Sequence, residues 1–187
     1  MNNLLLTREQ ATDALNSGKI GIMPTDTVYG LVARADNEQA VARAYALKDR
    51  ERKPGTLIAA SIEQLVDLGV PQEEIAKVAK WWPNPLSAVL VMNGREYLHQ
   101  GVGDIAMRVV SDPAIIEILN NTGPLITSSA NLPGQPGATS LAEAYAYFGH
   151  AVDFYVDGGT IASTQPSTIV KPVGDEIVVL RQGDITL

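Results

Sequence analysis

Residues 19–31 read KIGIMPTDTVYGL, a short apolar run followed by a polar segment that proline and glycine bound. The run Lys19–Met23 has few charges and the length of a strand, so it predicts a strand buried in a sheet. Pro24–Leu31 predicts a turn after this strand, with two hydroxyls, a carboxylate and a phenol. Ligands of α/β proteins commonly bind at the carboxyl ends of strands, so the turn is a candidate site. A turn whose side chains only satisfy its own backbone is the alternative.

Apolar runs of the same kind recur along the chain and alternate with predicted helices. Capping residues followed by alanine-rich or three-and-four-spaced apolar patterns predict helices at Asn37–Lys48, Pro71–Trp82, Asp112–Asn120 and Ser140–Phe148. Capping-box spacing predicts helix starts at Thr7/Gln10, Ser61/Gln64 and Ser140/Glu143. The other predicted strands are Thr56–Ala60, Ser87–Met92, Ile105–Val110, Pro124–Thr127, Val152–Val156, Ser167–Val170 and Glu176–Leu180.

The order of these elements predicts an α/β fold with an open mixed sheet and helices packed against it. The last two predicted strands follow each other without a helix, which favours antiparallel pairing at that end. The chain has 187 residues and no linker or internal repeat, so we expect one domain over residues 1–187. The longest polar connection, Asn93–Asp104, is a candidate surface loop or lid.

Composition argues against several classes of protein. The net charge is −7 and the isoelectric point is near 4.8, which argues against a positively coated protein for unspecific nucleic-acid binding. The chain has no cysteine, which removes disulfides and cysteine nucleophiles and fits a reducing cytoplasm. No stretch has the pattern of a signal peptide or approaches the roughly 20 apolar residues of a membrane span. We therefore expect a soluble cytoplasmic protein without a membrane partner.

Four cations and two anions stand together in residues 48–53, KDRERK, at the end of a predicted helix. Cations at a helix C-terminus are favoured by the helix dipole, and Pro54 ends the helix, so a solvated helix end is one interpretation. The other is a polyphosphate site, because Arg50 offers a planar fork of donors and Lys48 a point charge.

Polar side chains also follow or interrupt other predicted strands. Thr127–Asn131 offers hydroxyls, an amide and backbone N–H groups, which suit phosphate oxygens or a ribose, although a loop with local side-chain-to-backbone bonds is the alternative. Arg108 interrupts an apolar strand, where an arginine needs an anion, either a structural carboxylate or a ligand. Ser167 and Arg181 repeat the pattern at later strand ends.

Several common site types have no support in the sequence. There is no P-loop, G-x-G-x-x-G or G-x-S-x-G motif, and His99 and His150 lie in no metal-binding pattern. These observations favour a mechanism that depends on positioning and electrostatics, without a covalent enzyme intermediate and without metal ligands from the protein.

An ordered set of short motifs resembles the YrdC-like family of threonylcarbamoyl-AMP synthases. The motifs are Pro24–Leu31, Lys48-x-Arg50, Trp82-Pro83-x-Pro85-Leu86, Arg108-Val109, Ser129-Ala130-Asn131 and Pro166-Ser167-Thr168. The resemblance spans nearly the whole chain, and the chain is similar to the short form of the family. It implies a twisted α/β sheet with a cationic pocket, and a nucleotidyltransferase that joins L-threonine and bicarbonate to AMP from ATP with loss of pyrophosphate.

The resemblance also implies roles and partners. Lys48 and Arg50 would bind the ATP phosphates and act in catalysis, Ser129 and Asn131 would bind phosphate or ribose, and Arg181 would bind the nucleotide. Magnesium would enter with ATP. Partner proteins would then pass the threonylcarbamoyl group to the adenosine beside the anticodon of certain tRNAs, so direct contact with tRNA is possible.

For threonine, the resemblance favours Thr27 first and Ser167 second, and it gives Arg108 either the threonine carboxylate or a phosphate. The chain departs from the family pattern at Val32 and Glu51, which we expect to reshape the pocket rim. It departs again at Val110 and Asp112, where the aspartate is expected to add negative charge near Arg108.

Two other functions fit the same residues. One is a non-catalytic RNA-binding factor for ribosome or tRNA maturation, which would use the same cationic pocket. The other is a related carbamoyl-adenylate enzyme or nucleotide hydrolase that acts on a different amine or acyl donor.

Overall fold

The computed structural model describes residues 4–49, 51–161 and 166–186, and in these ranges one open mixed sheet is flanked by helices. The strands are β1 Leu5–Leu6, β2 Gly21–Pro24, β3 Tyr29–Arg34, β4 Thr56–Ala59, β5 Leu86–Val91, β6 Asp104–Val109, β7 Leu125–Ser129, β8 Phe154–Val156, β9 Thr168–Val173 and β10 Glu176–Arg181. The helices are α1 Arg8–Asn16, α2 Glu38–Leu47, α3 Ile62–Asp67, α4 Gln72–Ala76, α5 Glu96–His99, α6 Pro113–Thr122 and α7 Leu141–Phe148. The predicted α/β class is confirmed.

The strands lie in the order β1-β8-β2-β3-β7-β4-β6-β5-β9-β10. Parallel pairs, such as β4 with β6, are mixed with antiparallel pairs, such as β3 with β7. The last two strands pair antiparallel, as their direct succession in the sequence predicts. Among the described residues, no helix has the length and apolar content that a membrane span requires.

The predicted helix starts are confirmed at atomic level. At Thr7 the capping box is complete, because its hydroxyl accepts from Gln10 N–H and the Gln10 side chain accepts from Thr7 N–H. Ser61 and Ser140 cap α3 and α7 in the same way. There, however, the third-position side chain accepts from the residue before the cap, as Gln64 does from Ala60 N–H.

Three predicted segments differ from the structure. The turn over Pro24–Leu31 is shorter, because Tyr29–Arg34 is β3 and pairs with β2 as a hairpin; the aromatic and β-branched residues of β3 are buried and suit a central strand. The helix over Pro71–Trp82 is interrupted at Val78, whose φ of −129° lies outside the helical range. The loop Asn93–Asp104 contains α5, which contacts α2 and so is no free lid.

Two apolar clusters cover the two faces of the sheet. One contains α1 and α6 with alternate strand residues such as Val32, Ile58 and Leu125. The other contains residues of α2, α3 and α7 with the intervening strand positions, such as Leu57 and Ile126. Successive side chains of a strand point to opposite faces, so membership of a cluster tells which face a strand residue occupies.

Gly30 lets the β2–β3 hairpin lie close to β7. A Cβ atom at this position would be 2.5 Å from Thr127 Oγ1 and 2.9 Å from Thr25 Cγ2. Thr127 is on β7 and Thr25 is in the turn of the hairpin. A side chain at position 30 would therefore push the hairpin away from β7.

We expect Gly30→Ala to lower the free energy of unfolding by about 1–3 kcal/mol, the usual range for overpacking, in a denaturant titration. Gly137→Ala is the matched control, because its Cβ would be 3.9 Å from Ser129 Cβ, an ordinary contact. Equal stability of the two variants would show that the hairpin adjusts freely.

Asp153 ties the start of β2 to α2. Its carboxylate accepts from Ile20 N–H at 2.8 Å and from both terminal nitrogens of Arg43 at 2.9 and 3.1 Å. Burial favours the protonated acid, but the hydrogen bonds from Arg43 and Ile20 outweigh it and hold the pKa of Asp153 below its ordinary value.

A lowered pKa in the folded state means that Asp153 contributes stability above its unfolded-state pKa, near 3.9, and loses it as the pH falls further. We expect Asp153→Asn to reduce the free energy of unfolding by about 1 kcal/mol at pH 7. The difference from the unsubstituted protein should shrink toward pH 3 in paired urea titrations. If the difference in the free energy of unfolding stays constant with pH, the charge of Asp153 does not stabilise the fold.

Candidate functional site

A cavity of about 260 Å³ lies on the sheet face that carries α1 and α6, in the part that these helices leave open. Strand alternation explains its polar wall. Thr127 and Ser129 share the face of Leu125, and Thr56 shares the face of Ile58. The lining residues are Thr25, Thr27, Val28, Thr56, Arg108, Thr127, Ser128, Ser129, Gly137, Pro166, Ser167 and Arg181.

Arg108 forms a buried ion pair with Asp26 beside this cavity. Its Nε donates to Asp26 Oδ2 at 2.9 Å and its Nη2 donates to Asp26 Oδ1, so the pair is bidentate. The side chains are only 3% and 5% exposed. Such a pair is costly to desolvate, and its two parallel hydrogen bonds fix the plane of the guanidinium.

Two serines connect Arg108 to a second arginine, Arg181, through hydrogen bonds. Arg108 Nη1 lies 3.4 Å from Ser87 Oγ, and Ser87 Oγ lies 2.9 Å from Ser167 Oγ. Arg181 donates from Nε and Nη2 to the Ser167 carbonyl at 3.1 and 2.8 Å, and its Nη2 lies 3.3 Å from Ser167 Oγ. The two guanidiniums are thus joined through Ser87 and Ser167.

The cavity is electrostatically suited to an anion. Burial lowers the pKa of Arg181, and the nearby positive charge of Arg108 lowers it further, although a guanidinium stays charged at neutral pH. Within the described residues, Asp26 is the carboxylate paired with Arg108, and no ion pair holds Arg181. One guanidinium charge is therefore left for a bound anion.

Lys48 lies behind the cavity wall. Its Nζ donates to the carbonyl of Ser129 at 2.8 Å, to the carbonyl of Asn131 and to Asn131 Oδ1 at 2.8 Å. Ser129 Oγ donates to the same Oδ1 at 2.6 Å, and Asn131 Nδ2 donates to the carbonyls of Leu132 and Gln135. Lys48 is 4% exposed, so the solvated helix end is the wrong interpretation for this residue.

Comparison with known proteins gives the family. The model of the family described as Telomere recombination, Sua5/YciO/YrdC, matches residues 13–183. The chain belongs to the Sua5/YciO/YrdC family. A threonylcarbamoyl-AMP synthase of Pseudoalteromonas translucida is 36% identical over 175 residues, which cover 89% of this chain and 94% of that protein. Another, of Vibrio cholerae, is 34% identical over 183 residues, which cover 94% and 96%.

Solved structures of Sua5/YciO/YrdC proteins have the same fold. P. abyssi Sua5 complexed with L-threonine matches with a TM-score of 0.84 and 29% identity over 97% of this chain. This chain spans only 56% of that Sua5 chain. E. coli YciO matches with a TM-score of 0.81 over 95% of this chain and 89% of its own, and at 23% identity the likeness concerns the fold alone.

Most of the predicted site residues of this family member come together. Thr27, Arg108, Ser129, Ser167 and Arg181 line the one cavity. Lys48 and Asn131 contact Ser129 from behind and are not part of the lining. Arg50 lies outside the described residues, so its predicted role stays a prediction.

Two of the departures from the family pattern, Val32 and Glu51, lie elsewhere than expected. Val32 is fully buried against α1 and α6, and Glu51 is exposed beside α2, so the expectation that they reshape the cavity rim is wrong. Asp112 accepts hydrogen bonds from Ala114 N–H and Ile115 N–H as the cap of α6. The carboxylate that pairs with Arg108 is that of Asp26.

Sequence reasoning gave no role to Thr56 and Ser87, and it named Asp26 and Thr127 only as members of candidate segments. Thr56 and Thr127 face each other on β4 and β7, and both line it. Asp26 and Ser87 contact Arg108. A hydroxyl or carboxylate inside an apolar strand or a tight turn is the signal that could have found them.

Lys48 holds the loop after β7, and its removal deletes the hydrogen bonds that it donates to the carbonyls of Ser129 and Asn131 and to Asn131 Oδ1. We expect Lys48→Met to lower the free energy of unfolding by about 1–3 kcal/mol in urea. Lys77→Met, at a side chain that is 43% exposed, is the control and should change it by less than about 0.5 kcal/mol. A Lys48→Met protein as stable as the control would show that water replaces the ammonium.

Proposed function

We propose that the chain forms threonylcarbamoyl-AMP from L-threonine, bicarbonate and ATP, with release of pyrophosphate. The observation that supports this most is one cavity that combines two linked arginines with a wall of hydroxyls. Relatives that are 34–36% identical over nearly their whole length are named threonylcarbamoyl-AMP synthase, and P. abyssi Sua5 was solved with L-threonine. The reaction class is nucleotidyl transfer.

In this proposal the threonine half of the cavity is built from Arg108, Ser167 and Thr27. Arg108 has five N–H donors, and three of them bond to Asp26 and Ser87. The remaining two suit the threonine carboxylate. Thr27 stands on the turn after β2, where its hydroxyl and methyl group can contact the threonine side chain.

The nucleotide half is built from Ser129, Arg181 and the groups behind them. Arg181 Nη1 has no bond to Ser167 and is free to bind a phosphate oxygen. We keep Lys48 and Arg50 as the proposed phosphate-binding pair. For Lys48 this requires exchange of one protein acceptor for a phosphate oxygen. Asn131 would then orient Ser129 towards phosphate or ribose, through their hydrogen bond.

The chemistry needs positioned charges more than a reactive side chain. The threonine amine adds to bicarbonate with loss of water, and a carbamate oxygen attacks the α-phosphorus of ATP. The bond from that phosphorus to the pyrophosphate oxygen breaks in line with the attack. Guanidinium groups that are already oriented stabilise the charge that develops in such a transfer.

Magnesium is proposed to enter with ATP. Among the described residues no group of three or more His, Asp or Glu side chains could hold a metal ion. Thr127 and Ser129 are among the cavity hydroxyls that would hold an ion carried on the triphosphate. When bound, the ion would supply positive charge that neutralises part of the charge of the triphosphate.

The product would serve tRNA modification. A carbamoyl-adenylate is a mixed anhydride, so it suits transfer to an amine, here the adenosine beside the anticodon. We propose that partner proteins perform this transfer in the cytoplasm.

We expect the purified protein to release pyrophosphate from ATP only when threonine and bicarbonate are both present. A coupled pyrophosphate assay with each substrate omitted in turn measures this. Turnover of ATP without threonine would contradict the proposal that threonine is the substrate. Tight tRNA binding without ATP chemistry would favour the RNA-binding alternative.

A pair of arginine variants sharpens the same assay. Arg181→Met should raise the KM for ATP about 10- to 100-fold, the usual effect of losing a charged hydrogen bond. Arg43→Met, on α2 and half exposed, is the matched control and should leave KM unchanged.

A further inference from the structure

The hydrogen bonds around Arg108 form a chain with a direction, from Arg108 through Ser87 to Ser167. We propose that Asp26 and Ser87 are positioning residues that fix Arg108 and Ser167 as hydrogen-bond donors to the threonine carboxylate. This inference rests on the proposed function, and it gives roles to two residues that do not themselves touch the substrate.

Asp26 determines which edge of the guanidinium faces the cavity. It occupies Nε and one N–H of Nη2, which is the edge away from Nη1. The N–H groups left over lie on Nη1 and on the outer side of Nη2. Because both side chains are almost fully buried, water does not compete for this bidentate pair, and the guanidinium cannot rotate without breaking it.

Ser87 sets the direction of the next bond. A guanidinium only donates, so Ser87 Oγ accepts from Arg108. Ser87 is fully buried, and the Ser167 hydroxyl is the acceptor within reach of its own hydrogen. A buried hydroxyl that donates to nothing is costly, so Ser87 donates to Ser167.

Ser167 is thereby left with a free hydrogen. Its Oγ accepts from Ser87 and lies in reach of Arg181, which also only donates. The Ser167 hydrogen therefore points to whatever acceptor the cavity holds. Arg108 and Ser167 together present N–H and O–H groups on one wall, which matches a carboxylate and excludes an ammonium group from that wall.

Asp26 also holds the turn that carries Thr27. The turn follows β2 and precedes β3, whereas Arg108 is on β6, and β7 and β4 lie between β3 and β6. The ion pair therefore spans two intervening strands. Thr25 closes the turn locally by donating to the Val28 carbonyl at 2.7 Å, and Asp26 anchors it to the far side of the cavity.

The first test is Asp26→Asn in the pyrophosphate assay. We expect the KM for threonine to rise at least about tenfold, while the KM for ATP changes less than about threefold. Asp153→Asn is the matched control, because Asp153 also accepts a bidentate pair from an arginine, remote from the cavity. It should leave both KM values unchanged. An Asp26→Asn protein with an unchanged threonine KM would overturn the proposal.

A double variant tests whether Asp26 acts through Arg108. Arg108→Met is expected to raise the threonine KM, and Asp26→Asn added to it should change that value by less than about twofold. A further tenfold rise would show that Asp26 acts independently and would overturn the proposal. The double variant buries no unpaired charge, so this comparison remains possible if Asp26→Asn alone does not fold.

Ser87 provides a neutral test of the same chain. Ser87→Ala removes the link from Arg108 to Ser167 and should raise the threonine KM several-fold, whereas Ser87→Thr keeps the hydroxyl and should restore it. Unchanged kinetics in Ser87→Ala would overturn the proposed direction of the chain. If the unsubstituted protein releases no pyrophosphate with threonine, the proposed function itself fails; activity with insensitive Asp26 and Ser87 variants refutes only this inference.

Discussion

The buried ion pair between Asp26 and Arg108 is the constraint on which the site depends. Its two charges lie almost entirely out of water, where attraction between them offsets a large loss of hydration. An apolar pair would fill the same space at lower cost, so stability alone does not explain the arrangement. What the ion pair adds is a guanidinium with a fixed orientation beside a cavity. Arg181 brings a second positive charge to that cavity, and among the described residues no carboxylate forms an ion pair with it.

The sheet explains how residues far apart in the sequence meet at one surface. Thr56, Thr127, Arg108 and Ser129 come from three neighbouring strands and face the same side, because side chains alternate along each strand. The two helices that cover this side leave the region open. The cavity therefore lies on a face of the sheet. The prediction that placed the site at the carboxyl ends of the strands selected the Thr27 turn and Ser129, but it missed Thr56, which lies at the start of β4.

Local signals in the sequence predicted more than long-range ones. Helix caps such as Thr7 and Ser140 depend on neighbouring residues only, so their spacing was enough. β3 was missed because Tyr29 and Gly30 follow turn-forming residues, and its pairing with β7 is a long-range feature. For the same reason the sequence showed that Arg108 needs an anion but did not select Asp26: that choice requires the strand order. The sequence likewise did not predict the hydrogen-bond acceptors of Lys48, which lie some 80 residues further along the chain.

In the turn after β2 and in the loop after β7, local hydrogen bonds within the segment are compatible with a place at the cavity. Thr25 satisfies the backbone of its turn, as in a turn with only a structural role, and in doing so it leaves Thr27 at the cavity. The Asn131 amide group donates a hydrogen bond within its own loop, to the Gln135 carbonyl, and its Oδ1 accepts a hydrogen bond from the Ser129 hydroxyl. A binding site built from neutral hydroxyls needs such internal bonds, because each hydroxyl rotates freely unless a neighbour fixes its hydrogen. Local satisfaction of the loops therefore determines which donors remain for a ligand.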